Sequence, residues 1–235
     1  MAIDDLPMPV VTFLNAIGVD WPYINEDTLM QFASLTKEFG QAVETTHQDA
    51  TSAVHGIAQA HQGASTQQMT SGWAELSSRH VTEIVEGCQV LATALEVGAG
   101  YIVAQKVEAI ADLVGMAAAF IADQAAAVAT FGLAEAAVPV IIEAGEALVD
   151  SLVQDLQQYL IGKVIQAAAK PLFAKVEAAM SGLDWSQTTS VNVSSSGFMV
   201  DEQAVRSATA ALRGHAETMR SHAATYQQGV RGLSF

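Results

Sequence analysis

A chain of 235 residues is long enough to bury a substantial core, and one that is 51% hydrophobic, 6% aromatic and 15% charged has the composition of a helical protein rather than a disordered one. Its net charge of -15 excludes direct nucleic-acid binding, because neutralising phosphates takes clustered Lys and Arg. A single cysteine, Cys88, excludes an intrachain disulfide, a Cys-x-x-Cys redox pair and a Cys-rich zinc site.

Residues 6–18 form a short apolar segment that proline starts and Gly18 stops, which predicts a first helix. Trp21-Pro22 forces an extended step. Asn25 is then a good N-cap, with Glu26 and Asp27 in the first turn, where the helix dipole favours negative charge. From Glu26 to Ala60, positions 29, 32, 36, 39, 43, 46, 50, 53, 57 and 60 alternate spacings of three and four, one continuous apolar seam.

The stretch His61-Gln62-Gly63-Ala64-Ser65-Thr66 reads as a turn. A second seam follows through Met69, Trp73, Leu76, His80, Ile84, Cys88, Leu91, Leu95, Gly98 and Ile102. This predicts a second long helix from about Thr66 to about Leu113, antiparallel to the first, with strain at Gly98 and Gly100. Cys88 is read as a small buried apolar residue.

Residues 113–142 are almost wholly apolar, interrupted by Asp123 and Glu135, so their uncharged runs fall well short of a bilayer span. A buried helical hairpin turning near Thr130-Phe131-Gly132 is expected. A further helix is predicted from about Pro139 to Met180, with Ile142, Leu148, Leu152, Leu156, Leu160, Ile165 and Phe173 inward and a kink at Pro171. Residues 186–197 are Ser/Thr-rich and break the pattern. Asp201 then caps a last helix with Val205, Leu212, Met219, Tyr226 and Leu233 seven apart, and Thr209, Ala216, Ala223 and Val230 four residues after each of the first four. Arg206, Arg213 and Arg220 repeat beside that stripe. Charge divides the chain too: residues 1–162 hold 20 acids against Lys37, Arg79 and Lys106, whereas 163–235 hold five against seven bases.

The expected architecture is therefore all-α, an elongated helical bundle built on a long antiparallel hairpin with an additional C-terminal helix. The expected division is 1–185, a linker at 186–200, and 201–235 as the first half of a second hairpin. No nucleophile elbow, phosphate loop, dinucleotide fingerprint or His-Glu-x-x-His motif occurs, so no catalytic residue, cofactor or metal is assigned and the chain is not expected to be an enzyme. Glu44-Thr45-Thr46-His47 has a di-iron spacing but no second copy. Glu143, Glu146 and Asp150 read as a solvated acidic stripe.

Gly18-Val19-Asp20-Trp21-Pro22-Tyr23-Ile24-Asn25-Glu26-Asp27-Thr28-Leu29, followed by Phe32, Ala33 and Phe39, resembles the G-x-x-W-P-x-x-x-E-D-x-L opening of the CpnT-like N-terminal domain. That WXG-like family heads actinobacterial polymorphic toxins exported by type VII (ESX) secretion. The resemblance covers the order of parts through about residue 185. It implies a non-enzymatic targeting module, made in the cytoplasm and exported without a cleaved signal peptide, that pairs with a small WXG-type helical-hairpin protein and engages the ESX machinery.

The Trp-x-Gly turn is represented by Trp73-Ala74-Glu75, with glycine at Gly72 instead of after the tryptophan. The Tyr-x-x-x-Asp/Glu export signal matches only Tyr23 to Asp27, at a helix start, so a partner is expected to supply that signal and Tyr23 to pack beside Trp21. The residues expected to meet a partner or the export machinery are Trp21, Pro22, Tyr23, Asp27, Gly72, Trp73, Leu212, Met219 and Tyr226. A second reading has 113–142 leave the bundle and insert into a membrane, making the protein membrane-active or pore-forming.

Overall fold

The computed structural model describes residues 5–22, 24–60, 64–77, 81–129, 138–181 and 202–234. They form α1 (Met8–Ile17), α2 (Glu26–Ala60), α3 (Ala64–Leu76), α4 (Thr82–Ala129) and α5 (Val138–Tyr159). A π-helical stretch (Leu160–Ala169), α6 (Lys170–Ser181) and α7 (Glu202–Arg231) follow. The protein is all-α, with long helices packed as a helical bundle. By internal contacts the chain divides into two compact units. The first comprises 1–31, 94–165 and 234–235, and the second 32–93 and 166–233.

In the first unit α1 ends where Gly18 adopts a left-handed conformation (φ 72°) and its N–H returns to the Leu14 carbonyl. Val10, Phe13 and Leu14 of α1 are fully buried. Phe13 meets Phe120 of α4 with ring centroids 5.5 Å apart, and a Cβ added at Gly145 of α5 would lie 3.1 Å from its ring. Asn25 caps α2 as expected, its Oδ1 accepting the N–H groups of Asp27 (3.0 Å) and Thr28 (3.4 Å). Leu95, Ala99, Ile102, Ala109, Leu113 and Ala117 of α4 face the core. Tyr101 stacks on Tyr159 at 3.9 Å. Gly98 lets α4 lie close to the π-helical stretch: a Cβ there would be 3.3 Å from Val164. Helical geometry runs unbroken through Gly98 and Gly100, so the expected strain is not seen.

In the second unit α2 pairs antiparallel with α3 and the start of α4: contacts run from His47 with Trp73 and Ser77 to Gly40 with Cys88, one number rising as the other falls. The predicted α2 seam is the face turned inward, with Thr36, Val43, Thr46 and Ala50 buried. The second arm is helical from Ala64 to Ser77 and from Val81 through α4 to Ala129, past the expected end near Leu113; residues 61–63 and 78–80, including His80, lie outside those described. Cys88 is buried, and burial pushes its thiol up to about 11.

Two register expectations are corrected. Ile165 and Phe173 are exposed (46% and 65%), while Val164, Ala168 and Leu172 are buried instead. The π-helical stretch carries more residues per turn than an α-helix, which shifts every later side chain around the axis. It ends just before Pro171, whose missing N–H leaves the preceding turn without its ordinary bond. In α7 the half-buried row beside Val205, Leu212, Met219, Tyr226 and Leu233 is Ala208, His215, His222 and Gly229; Thr209, Ala216 and Ala223 are exposed. A heptad pattern permits a step of three or of four, and small residues at the four-step positions Thr209, Ala216 and Ala223 favoured that choice over His215 and His222. The expected turn at 130–132, Asp201 and the linker at 186–200 lie outside the described residues.

Candidate functional site

Each candidate residue is placed within its own unit. In the first, Trp21 is buried at 3% exposure and Pro22 is buried beside it in sequence. The Trp21 indole N–H is buried without a partner. Asp27 is exposed in the first turn of α2, and Tyr23 lies outside the described residues.

Glu26, expected only to complement the helix dipole, is buried and paired with Lys106, which is 1% exposed. The Lys106 ammonium donates to the Glu26 carboxylate at 3.0 Å and to the Ile24 carbonyl at 2.6 Å. Burial lowers the Lys106 pKa from its ordinary value, and the charge of Asp27 opposes that shift. The pair locks the Trp21-Pro22 segment and the start of α2 to the middle of α4. The signal for it was present in the sequence: Lys106 is the lone base between Arg79 and Lys163, and it stands at an inward position of a helix.

In the second unit Trp73 is half-buried near the end of the hairpin, and its indole N–H donates to Thr51 Oγ1 at 2.9 Å. Its ring stacks on His47 at 5.3 Å and 14°. His47 Nε2 lies 2.6 Å from Ser77 Oγ, and burial lowers the imidazole pKa. The Glu44-x-x-His47 spacing thus serves packing: His47 turns to Trp73 and Ser77. Among the described residues no group of His, Cys, Asp and Glu is arranged to hold a metal. Gly72 is exposed and a Cβ there would meet nothing within 4 Å, so that glycine is not required by packing.

On α7, Leu212, Met219 and Tyr226 are half-buried. Tyr226 stacks on Phe39 of α2 at 4.8 Å. The Thr36 hydroxyl gives its proton to the Phe32 carbonyl (2.8 Å), so at 3.1 Å Tyr226 is the donor to Thr36. A groove of about 180 Å³ between α2 and α7 is lined by Leu35, Glu38, Phe39, Ala42, His222, Thr225 and Tyr226.

A helical hairpin with a tryptophan near its end and residues 4–145 matching the family described as WXG100 like domain decides the class, since the match covers more than half the chain. The chain belongs to the WXG100-like family. It is thereby a helical protein related to type VII secretion. A comparison with curated proteins gave no match, and neither did one with solved structures. The family match takes in α1 to α4 and the start of α5, and therefore Trp21, Asp27, the Glu26–Lys106 pair and Trp73. It leaves out α7.

Proposed function

We propose that this WXG100-like chain is the non-enzymatic targeting and interaction module of a type VII (ESX) secreted toxin or effector, exported together with a small helical-hairpin partner. The observation that carries this reading is the family match over 4–145. Residues 1–185 form the targeting domain in this reading. Trp73 is its recognition residue: a half-buried indole held by Thr51 and His47 is rigid yet accessible, as a recognition aromatic must be. Trp21 and Pro22 act from inside, by fixing the entry to α2, and Asp27, Leu212, Met219 and Tyr226 border the faces offered to the partner.

The test replaces Trp73 by alanine and, as a control, exposed Glu146 by alanine. Trp73→Ala is expected to lower secretion and partner recovery by about tenfold, the effect of losing an anchor worth ~1.4 kcal/mol, while Glu146→Ala leaves both unchanged. Equal effects of the two substitutions would end the hairpin-recognition reading.

One observation favours the second reading, membrane activity: by length and composition Thr82–Ala125 is apolar enough to cross a membrane, and 39% of its most apolar window is buried. Asp112 is exposed and Asp123 has one carboxylate oxygen buried without a partner. Vesicle leakage at neutral and low pH tests this reading, and no leakage under either condition removes it.

A further inference from the structure

Helix α4 carries two seams in the first unit, and the described residues cover one. The inner seam runs through Leu95, Ala99, Ile102, Lys106, Ala109, Leu113 and Ala117. The outer seam is Val97, Gly100, Ala104, Val107, Ala111, Val114, Ala118, Ile121 and Ala125, alternating steps of three and four without a break, and every one of them is exposed. Val97, Val107, Val114 and Ile121 leave 56%, 54%, 43% and 52% of their surface in solvent. The stripe extends roughly 42 Å at 1.5 Å per residue and contains no charged residue.

Two acids stand on its borders, among apolar residues such as Val103, Ile110 and Ala122. Glu96 and Glu108 occupy the two flanks that in a coiled coil face the partner's flanking charges. Beside Glu108, a groove of about 160 Å³ is lined by Asp112 and Asp155 together with Gln105, Leu148 and Ser151. The base on this part of α4, Lys106, is buried against Glu26. Across the first unit Asp and Glu outnumber Lys and Arg fourteen to two.

We infer that this outer face of α4 is the docking surface for a partner helix whose apolar heptad stripe is flanked by Lys or Arg, with a basic side chain entering the groove at Glu108, Asp112 and Asp155. The inference rests on the reading of the chain as an export module with a helical partner, and it names the surface and the partner's chemistry. The continuous stripe calls for a helix, since only a second helix repeats apolar side chains at that pitch over that length. Charge selects its flanks. A second copy would bring one unit with fourteen acids and two bases against another, and like charges across an interface repel. An anionic membrane repels the same borders, whereas helices that lie on such membranes carry Lys and Arg on the polar face. The chain's own residues 182–201 contain Asp184 and Asp201 and no base, so they do not neutralise these borders either.

The test places a photoreactive amino acid at Val107 of the full chain in its host, with exposed Gln157 as the control position. The expected product from position 107 is a crosslink to a different protein, at a peptide with apolar residues in steps of three and four and Lys or Arg beside them. Its yield should fall about tenfold in the Glu108→Lys/Asp112→Lys variant, and likewise when the complex is isolated in ~1 M salt, where the screening length is ~3 Å. A crosslink to a second copy, to lipid or to the chain's own residues overturns the inference, as does none at all. So do equal yield at Gln157 and indifference to charge reversal. Export measured in the same cells separates the two claims. If Trp73→Ala blocks secretion while position 107 captures nothing, the export reading stands and this surface falls; if position 107 captures the basic-flanked helix and no version of the chain is exported, the reverse holds.

Discussion

The two units are stabilised in different ways. The first is built on side chains withdrawn completely from water, with Val10, Phe13, Leu14, Ile102, Leu113 and Leu156 at 1% exposure or less, and on the buried Lys106–Glu26 pair. The second also has a buried spine at Val54, Cys88, Leu91 and Ala92, but it seals its surface with half-buried aromatic and polar groups: Trp73 on His47, and Tyr226 on Phe39 and Thr36. No described residue of α7 is buried. A core withdrawn from water sets a fold and tolerates little change, whereas a half-buried aromatic seam can be exchanged for another helix at small cost. The first unit thus holds its fold by a core withdrawn from water, and the second closes with an aromatic seam that stays half-exposed.

The largest expected effect falls on the first unit. Lys106→Met leaves the Glu26 carboxylate buried without its cation, and a cost of ~3–5 kcal/mol is expected in denaturant unfolding. Adding Glu26→Gln to it should recover most of that loss, because the double variant buries no charge. If Lys106→Met is neutral, the contrast with the second unit fails.

A smaller effect is expected on α7. Tyr226→Ala removes a ring stack and a hydrogen bond to Thr36, for about 1–2 kcal/mol, and should make residues of α7 sensitive to protease before those of α1 or α5. Simultaneous cleavage of α1 and α7 would contradict the assignment of the weaker seam to the second unit.

The smallest effect concerns pH. Burial lowers the His47 pKa in the folded chain, so on acidification the unfolded chain takes up this proton first. The contribution of His47 is therefore fully present above the ordinary histidine value of about 6.5 and is lost as pH falls through and below it. Comparing thermal unfolding of the wild type and His47→Asn at pH 7 and pH 5 should show a shallower pH dependence in the variant. The same slope for both would mean that the Trp73 stack does not depend on a neutral imidazole.

Much of this was legible in the sequence, for identifiable reasons. The α2 seam, the Gly18 stop and the Asn25 cap are local, since each depends on residues within a few positions of one another. The Lys106–Glu26 pair joins residues 80 positions apart, so helical spacing marks Lys106 as inward but does not name its partner. The exposure of Ile165 and Phe173 follows from a change in residues per turn that a count at 3.6 passes over. The second row of α7 was missed because histidine at 215 and 222 looked like flank, whereas its ring serves equally well as a half-buried packing surface. On α4 the inner seam was read as far as Ile102; beyond it the apolar residues were counted but not resolved into an inner and an outer seam, which requires knowing which side the core lies on.

The claim on which the account depends most is export by a type VII machine. It is tested most directly by the amount of this protein in the culture medium of its host with and without the export ATPase. The account predicts protein in the medium only when the ATPase is present, with Trp73→Ala lowering it about tenfold. Equal amounts with and without the ATPase, free of cell lysis, would contradict it.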